Sequence, residues 1–497
     1  MGQKAELASI VGAGDVSDEP ETLEKYSKDQ SFVRSCKPDL IVKPGKVEEV
    51  QEVIRRANKD GMPVIPYSSG LNLHGGTIPD QGGIILDLSR MNQIEEINER
   101  NWFAVIQPGV TYEQLQDEAE KHGLRVMIPW GTPPKRSVLS SYMEREPTIA
   151  AAHHQWGNAL LVDTEIVLPS GEILRTGKWA PEVSKLEPGD PQGPIFQGAE
   201  LYRLWSSAQG TLGIMSRVVV RLRHLSEQRR CFFIPFDALE DMVRFLYPAL
   251  RLQVGTEWFA LNSFNLAALF TDDWRGLDEF PCGKVPSERF LEIKKRLPPW
   301  TLIICLEGLT YLPEERIKYQ ENALREECAR AGVELTTTLD GLFDAEGLFL
   351  RETIRPWGIL RKFCYKGAVH DVNFYTPMRN IPKFVSLLNE VATSYGYPID
   401  DIGGYLVPWE WGRSCYCEFD FHSDPANLAE TETVKRLLAK ANEALADEGA
   451  LLAKLYGGVA DIVYRRVNPY VAEKQREIKK ALDENNIMNP GKLCFKF

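Results

Sequence analysis

Residues 38–66, "PDLIVKPGKVEEVQEVIRRANKDGMPVIP", constrain the fold more than any other stretch. Two short β-prone runs, "DLIV" and "PVIP", flank a segment in which Val47, Val50, Val53, Ile54 and Ala57 recur at helical spacing. Strand, helix and strand in that order predict a parallel βαβ unit, because a crossover helix returns the chain to the same end of a sheet. The next residues, "YSSGLNLHGG" (67–76), are small, polar or glycine. Backbone N–H groups of small residues form concave nests for anions, and serine and asparagine side chains add donors. The loop therefore suits a pyrophosphate, although neither GxGxxG nor GxxxxGK[ST] is present.

Further along, "GGIILDLSRMNQIEEIN" and "WFAVIQPGVTYEQLQDEAEKHGL" add strands, the second followed by a helix with Thr111 as its N-cap. "DTEIVLPSGEILRTG" reads as strand, turn and strand, and "SSAQGTLGIMSRVVVRL" as a glycine-punctuated loop entering a β-branched strand. Beyond "RLRHLSEQRR" the pattern changes. "CFFIPFDALEDMVRFLYPAL" and "VNFYTPMRNIPKFVSLLNEVATSYGY" each give a strand, a short turn and an amphipathic helix, about 140 residues apart. They predict a second domain with helices on a mostly antiparallel sheet. A chain of 497 residues exceeds what one core usually organises. The expected division is an N-terminal extension (1–35), an α+β domain (36–224), a second α+β domain (225–440) and a closing segment (441–497).

Composition excludes several function classes. The net charge is −12 and there is no basic run, so nucleic acid is not an expected partner. No stretch reaches the roughly 18 apolar residues of a membrane span. The N-terminus carries acids without an apolar block, unlike a signal peptide, and Glu6 breaks the myristoylation pattern after Gly2. Nine dispersed cysteines without a CxxC give no zinc ribbon and no iron–sulfur ligand set, and read as reduced thiols of a cytoplasmic protein. No histidine pair has helical i, i+4 spacing, so no metal site is expected.

In order along the chain, "PDLIVKPGKVEEVQEVIRRA", "PVIPYSSGLNLHGG", "LLVDTEIVLPSGEILRTG", "SAQGTLGIMSRVVVRL" and "NNIMNPGKL" resemble the flavoprotein family that includes vanillyl-alcohol oxidase, p-cresol methylhydroxylase and the glycolate and D-lactate dehydrogenases. The resemblance implies an α+β fold: a p-cresol methylhydroxylase-type FAD-binding domain of two subdomains, an antiparallel cap (substrate) domain over the isoalloxazine, and a tail returning to the FAD domain. By family position, the loop of Ser68, Ser69, Gly70, Leu71 and Asn72 would hold the pyrophosphate. Ala150, Ala151, Ala152 and His154 would lie along the flavin. Glu165 and Ile166 would lie near the adenine, Gly213 and Ile214 near the ribose or pyrophosphate, and Asn489 and Lys492 at the closing turn. Covalent members carry histidine inside the loop or on the cap; here "SSGLN" and "WEWGRSCY" have none, which implies noncovalent FAD.

The candidates for chemistry are His370, Glu410, Arg413, Lys454 and Tyr456. Where phenol-binding members place a tyrosine–arginine pair, "LLAKLYGGVAD" offers Ala453 and Lys454, and Lys454 is the expected cation. The resemblance implies an FAD-dependent oxidoreductase that takes hydride from a small alcohol or 2-hydroxy acid onto flavin N5. Its electrons would pass to an external acceptor or electron-transfer protein, and the chain would be a homo-oligomer or a subunit of a complex. The alternatives are a para-substituted phenol oxidase or hydroxylase and a flavin-carrying electron-transfer subunit.

Overall fold

The computed structural model describes residues 2–69, 71, 73–150, 152, 160–180, 201–271, 288–340 and 342–496. The helix Val47–Asp60 buries Val50, Val53, Ile54 and Ala57 along one face, and Gly61 ends it in the left-handed conformation at φ 65°. It links Leu40–Val42 to Val64–Tyr67, and both strands run parallel to Ile84–Asp87, which lies between them. The βαβ expectation therefore holds in direction but not in adjacency. Ile84–Asp87 is buried along its whole length, so it takes the central place with a partner on each edge. Val16–Ser17 adds an antiparallel edge to Leu40–Val42, and Leu7 and Val11 of the helix Gln3–Val11 join the core beneath.

A second, antiparallel sheet runs in the order Ile94–Asn98, Phe103–Ile106, Ile214–Arg221, Leu161–Val167, Ile173–Arg175. Thr111 caps the helix Tyr112–Lys121 in a capping box: its hydroxyl accepts from the Gln114 N–H at 3.3 Å, and Gln114 Oε1 accepts from the Thr111 N–H at 3.0 Å. Leu161–Val167 and Ile173–Arg175 form the hairpin read from "PSG", with Gly171 at φ 80°.

The second domain is a seven-stranded antiparallel sheet in the order Gln228–Phe236, Trp300–Gly308, Glu257–Asn262, Gly403–Trp409, Ser414–Ser423, Ala368–Thr376, Leu451–Leu452. Strand alternation divides its side chains between two cores. Trp258, Ala260, Val372 and Phe374 pack beneath the helices Leu239–Arg251, Ile381–Ser394 and Leu428–Asp447. Phe259, Tyr405 and Tyr416 face the other way and meet Trp130 and Ile149 of the first domain. The site lies on that second face.

Two devices join the domains. Leu124–Arg125 pairs with Arg223–His224, and the fully buried Arg125 reaches into the cap, where it bonds Glu257, lies 2.9 Å from Glu307 and donates to the Thr353 carbonyl at 3.3 Å. After the helix Pro469–Leu482 the chain returns to the first sheet: the Val64 N–H donates to Ile487 O at 2.7 Å and the Asn489 N–H to Val64 O at 2.9 Å. Among the described residues no helix is long and apolar enough to cross a membrane. Among the described residues seven cysteines are free thiols, but Cys364 is disulfide-bonded, which corrects the expectation of reduced thiols throughout. That expectation was an argument about compartment, whereas a bond needs only matching geometry.

Candidate active site

The small-residue loop after Val64–Tyr67 forms one wall of a cavity with about 920 Å³ of space, part of it open to solvent. Ser68, Ser69, Thr77, Ser207 and Gln209 supply polar lining, whereas Leu71, Leu88, Leu139, Met143, Trp205, Ile214 and Met215 supply apolar walls. The loop is braced from outside. Ser69 Oγ accepts from the Ser137 N–H at 2.9 Å, and Arg136 Nη1 donates to Leu71 O at 3.3 Å. Asn489 Nδ2 donates to Gln209 O at 2.7 Å, and Lys492 Nζ donates to Ile78 O at 2.7 Å.

Arg136 also lines a second cavity of about 630 Å³ between loops of the first domain and the seven-stranded sheet. There Asp371 lies between two partners: its Oδ1 is 2.8 Å from His74 Nε2, and its Oδ2 accepts from Lys454 Nζ at 2.9 Å. Burial works to raise the Asp371 pKa, but His74 and Lys454 outweigh it and hold the carboxyl well below the usual value. An ionised carboxylate only accepts, so Nε2 carries the imidazole proton. Burial likewise works against the Lys454 charge, yet Asp371, Glu418 and Glu146 keep the ammonium protonated above the usual lysine range. The His74 ring stacks on Tyr456, centroids 5.5 Å apart, and Tyr456 lines the first cavity. The two cavities therefore meet at Arg136 and at the His74–Tyr456 stack.

Each cation on the second cavity's wall already has an anionic partner. Arg136 lies 2.6 Å from Glu144 and 3.2 Å from Glu146, Lys362 lies 2.8 Å from Asp420 and 3.1 Å from Glu418, and Lys454 holds Asp371.

Of the residues expected from the sequence, Ser68, Ser69, Leu71, Gly213 and Ile214 line the first cavity, as does Tyr456, and Lys454 lines the second. Asn489 and Lys492 brace the loop instead of facing the space. Glu165 and Ile166 lie in the second sheet, where Glu165 Oε1 accepts from Ser216 Oγ at 2.9 Å and Oε2 from Arg175 Nε at 2.8 Å. Ala150 and Ala152 are buried, and Ala152 O accepts from the Trp411 N–H at 2.9 Å. Gly70, Asn72, Ala151 and His154 lie outside the described residues.

The remaining three candidates stand apart from both cavities. Strand alternation sends His370 away from Asp371 and onto the helix-covered side, stacked on Phe32 with Nε2 3.0 Å from Ser423 Oγ. Glu410 and Arg413 occupy the turn between Gly403–Trp409 and Ser414–Ser423. Arg413 is 83% exposed there, with Glu410 3.7 Å away. Conversely, Asp371, Arg136 and Lys362 come from positions the sequence patterns did not single out. Asp371 was legible in one respect, since it is the alternation partner of His370 in "AVHDV".

The first cavity fits a dinucleotide with a central anion and two ring systems: hydroxyl donors lie in its polar part, apolar side chains flank them, and the buried Arg136 Nε has no hydrogen-bond partner. Residues 38–177 match the FAD binding domain family. The chain is 24% identical to glycolate oxidase subunit GlcD of Bacillus subtilis (strain 168), covering 99% of this chain and 97% of that protein. It is also 24% identical to the probable mitochondrial D-lactate dehydrogenase of Danio rerio, covering 98% and 90% respectively. The solved structure of p-cresol methylhydroxylase with substrate bound superposes with a TM-score of 0.80 at 20% identity, covering 99% of this chain and 96% of that one. The chain thus carries an FAD binding domain and has the fold of p-cresol methylhydroxylase, and its relatives mark it as an FAD-dependent oxidoreductase.

Gly210 tests the wall of the first cavity as a holder of FAD. Its φ is +70°, and a Cβ there would stand 2.2 Å from Cγ of Pro66, a rigid ring that cannot fold away. Gly210→Ala is expected to weaken FAD retention about tenfold, the effect of roughly 1.4 kcal/mol of strain, with far-ultraviolet circular dichroism unchanged. Full occupancy after gel filtration would show that the wall yields.

Proposed function

We propose that this chain oxidises a small neutral alcohol to the carbonyl compound, with FAD bound noncovalently and the electrons passed to an external acceptor. The observation that carries the reading is the charge balance of the second cavity. Among the described residues its wall holds three cations, Arg136, Lys362 and Lys454, and four carboxylates, Glu146, Asp371, Glu418 and Asp420, with every one of these cations paired. A substrate carboxylate entering there would be desolvated without an unspent counter-charge. Trp130, Phe363, Tyr405 and Tyr416 give the same wall an aromatic surface for a neutral molecule.

FAD, when bound, supplies a two-electron hydride acceptor. The chain's own part is to orient the alcohol and take its proton. With Nε2–H held by Asp371, His74 is the base placed to receive the hydroxyl proton, and Lys454 stabilises the Asp371 charge that supports the imidazolium. Stacking on Tyr456 fixes the plane of the ring. A 2-hydroxy acid is the second reading, favoured by the names of the relatives in Bacillus subtilis and Danio rerio.

Anaerobic bleaching of the flavin separates the two. Benzyl alcohol or 4-hydroxybenzyl alcohol is expected to bleach it faster than lactate or glycolate; faster bleaching by either acid would move the assignment to the second reading. Acid precipitation is expected to release the FAD into the supernatant, because "SSGLN" and "WEWGRSCY" lack histidine and His74 is engaged by Asp371. Flavin fluorescence remaining on the denatured chain would overturn that expectation.

A further inference from the structure

The second cavity has an aromatic wall whose polar atoms are not treated alike. The Tyr416 hydroxyl is fully used: it donates to Asn373 Oδ1 at 2.5 Å and lies 2.9 Å from Glu418 Oε2. Tyr405 and Trp130 line the same cavity, 2% and 6% exposed, with rings stacked at 6.2 Å and 23°. Neither the Tyr405 hydroxyl nor the Trp130 Nε1–H has a hydrogen-bond partner, and both are shut off from bulk solvent. Enclosed donors without partners are rare, because each forfeits its hydration for nothing. Here two of them stand in one stacked pair. They also come from different domains: Tyr405 from the cap strand Gly403–Trp409, and Trp130 from the segment that follows Leu124–Arg125.

We propose that Trp130 and Tyr405 form a two-donor subsite that selects substrates carrying a second oxygen, a hydrogen-bond acceptor distinct from the alcohol being oxidised. An indole N–H can only donate, so the complementary group must accept: an ether, carbonyl or phenol oxygen. A carboxylate is the wrong acceptor, since among the described residues the wall has no unpaired cation to balance it. The subsite rests on the alcohol reading above and extends it from the class of reacting group to the other end of the molecule. Binding across the seam would also tie the cap to the FAD domain only when the acceptor is present.

The test uses FAD-loaded enzyme and two alcohols of nearly equal shape, 4-methoxybenzyl alcohol and 4-methylbenzyl alcohol, which share the reacting carbinol and differ in an ether oxygen. The wild type is expected to prefer the methoxy compound about tenfold in kcat/KM, the order of one or two hydrogen bonds to buried donors. Tyr405→Phe, which removes only the hydroxyl, and Trp130→Phe are each expected to bring the preference to within about twofold of unity. Without substrate, Tyr405→Phe should melt no lower than the wild type, because its hydroxyl has no partner to lose. Melting several degrees lower would show that the hydroxyl already has a partner, an ordered water included, and would overturn the subsite. Retention of the full preference in both variants would overturn it too, with the alcohol reading intact. If lactate bleaches the wild-type flavin and neither alcohol does, the alcohol reading falls and the subsite with it.

Discussion

Replacing Asp371 by asparagine is expected to lower the rate of flavin reduction by roughly two to three powers of ten, the usual range for losing a working general base. The carboxylate touches both His74 Nε2 and Lys454 Nζ, so the substitution removes the charge that fixes the imidazole tautomer and supports the imidazolium. FAD content should stay at the wild-type level, because Asp371 does not line the first cavity. The pH profile should change as well. Burial, which works against the Lys454 charge, would then be opposed only by Glu418 and Glu146, and the lysine pKa should fall. Stopped-flow reduction by the alcohol that bleaches the wild type measures all of this; a rate within threefold of wild type would remove Asp371 from the mechanism.

Arg125→Met should produce the largest loss of stability. The guanidinium is fully buried between Glu257 and Glu307, and Arg229 lies farther off, 3.9 Å from Glu257 and 3.4 Å from Glu307. Burial works to raise the Glu257 pKa, but Arg125 above all, with Arg229 and Arg223, outweighs it and brings it to about 2, so the substitution removes the largest influence that keeps this buried carboxylate charged. Removing one partner of a buried pair typically costs about 3–5 kcal/mol, whereas replacing both partners with apolar groups can be nearly neutral. Urea unfolding of Arg125→Met should show that loss, and Arg125→Met with Glu257→Leu should recover much of it. A single variant within about 1 kcal/mol of wild type would show that Arg229 and Arg223 suffice.

The elements legible in the sequence are those fixed by short-range pattern. The stripe Val50, Val53, Ile54, Ala57 became a helix, Thr111 became a capping box, and "PSG" became a hairpin, because each depends on neighbours within a few residues. The insertion of Ile84–Asp87 between its two parallel neighbours was not legible, since which strands pair is decided by burial across the sheet. The site divides in the same way. Family position led to Ser68, Ser69, Gly213, Lys454 and Tyr456, all of which line a cavity. A histidine drew notice to "AVHDV", but alternation placed Asp371 in the cavity and His370 behind it. Arg136 and Lys362 come from a loop and a short 3₁₀ helix whose positions only the assembled domains define, and no spacing rule marks them.

The braces on the small-residue loop also bear on when the enzyme becomes able to hold its cofactor. Gly75 and Ile78 are secured by Lys492, Gln209 by Asn489 and Val64 by Ile487, so a ribosome that has delivered the entire first domain has not yet delivered the residues that fasten its binding loop. Between the two lies the whole cap, which must be synthesised and folded first. Cofactor capture is thereby timed to the end of translation, and a chain stopped after residue 486 should emerge from the ribosome folded in its sheets yet lose FAD on dilution. The tail would thus act as a checkpoint of assembly: a chain that ends before it is expected to hold no tightly bound flavin.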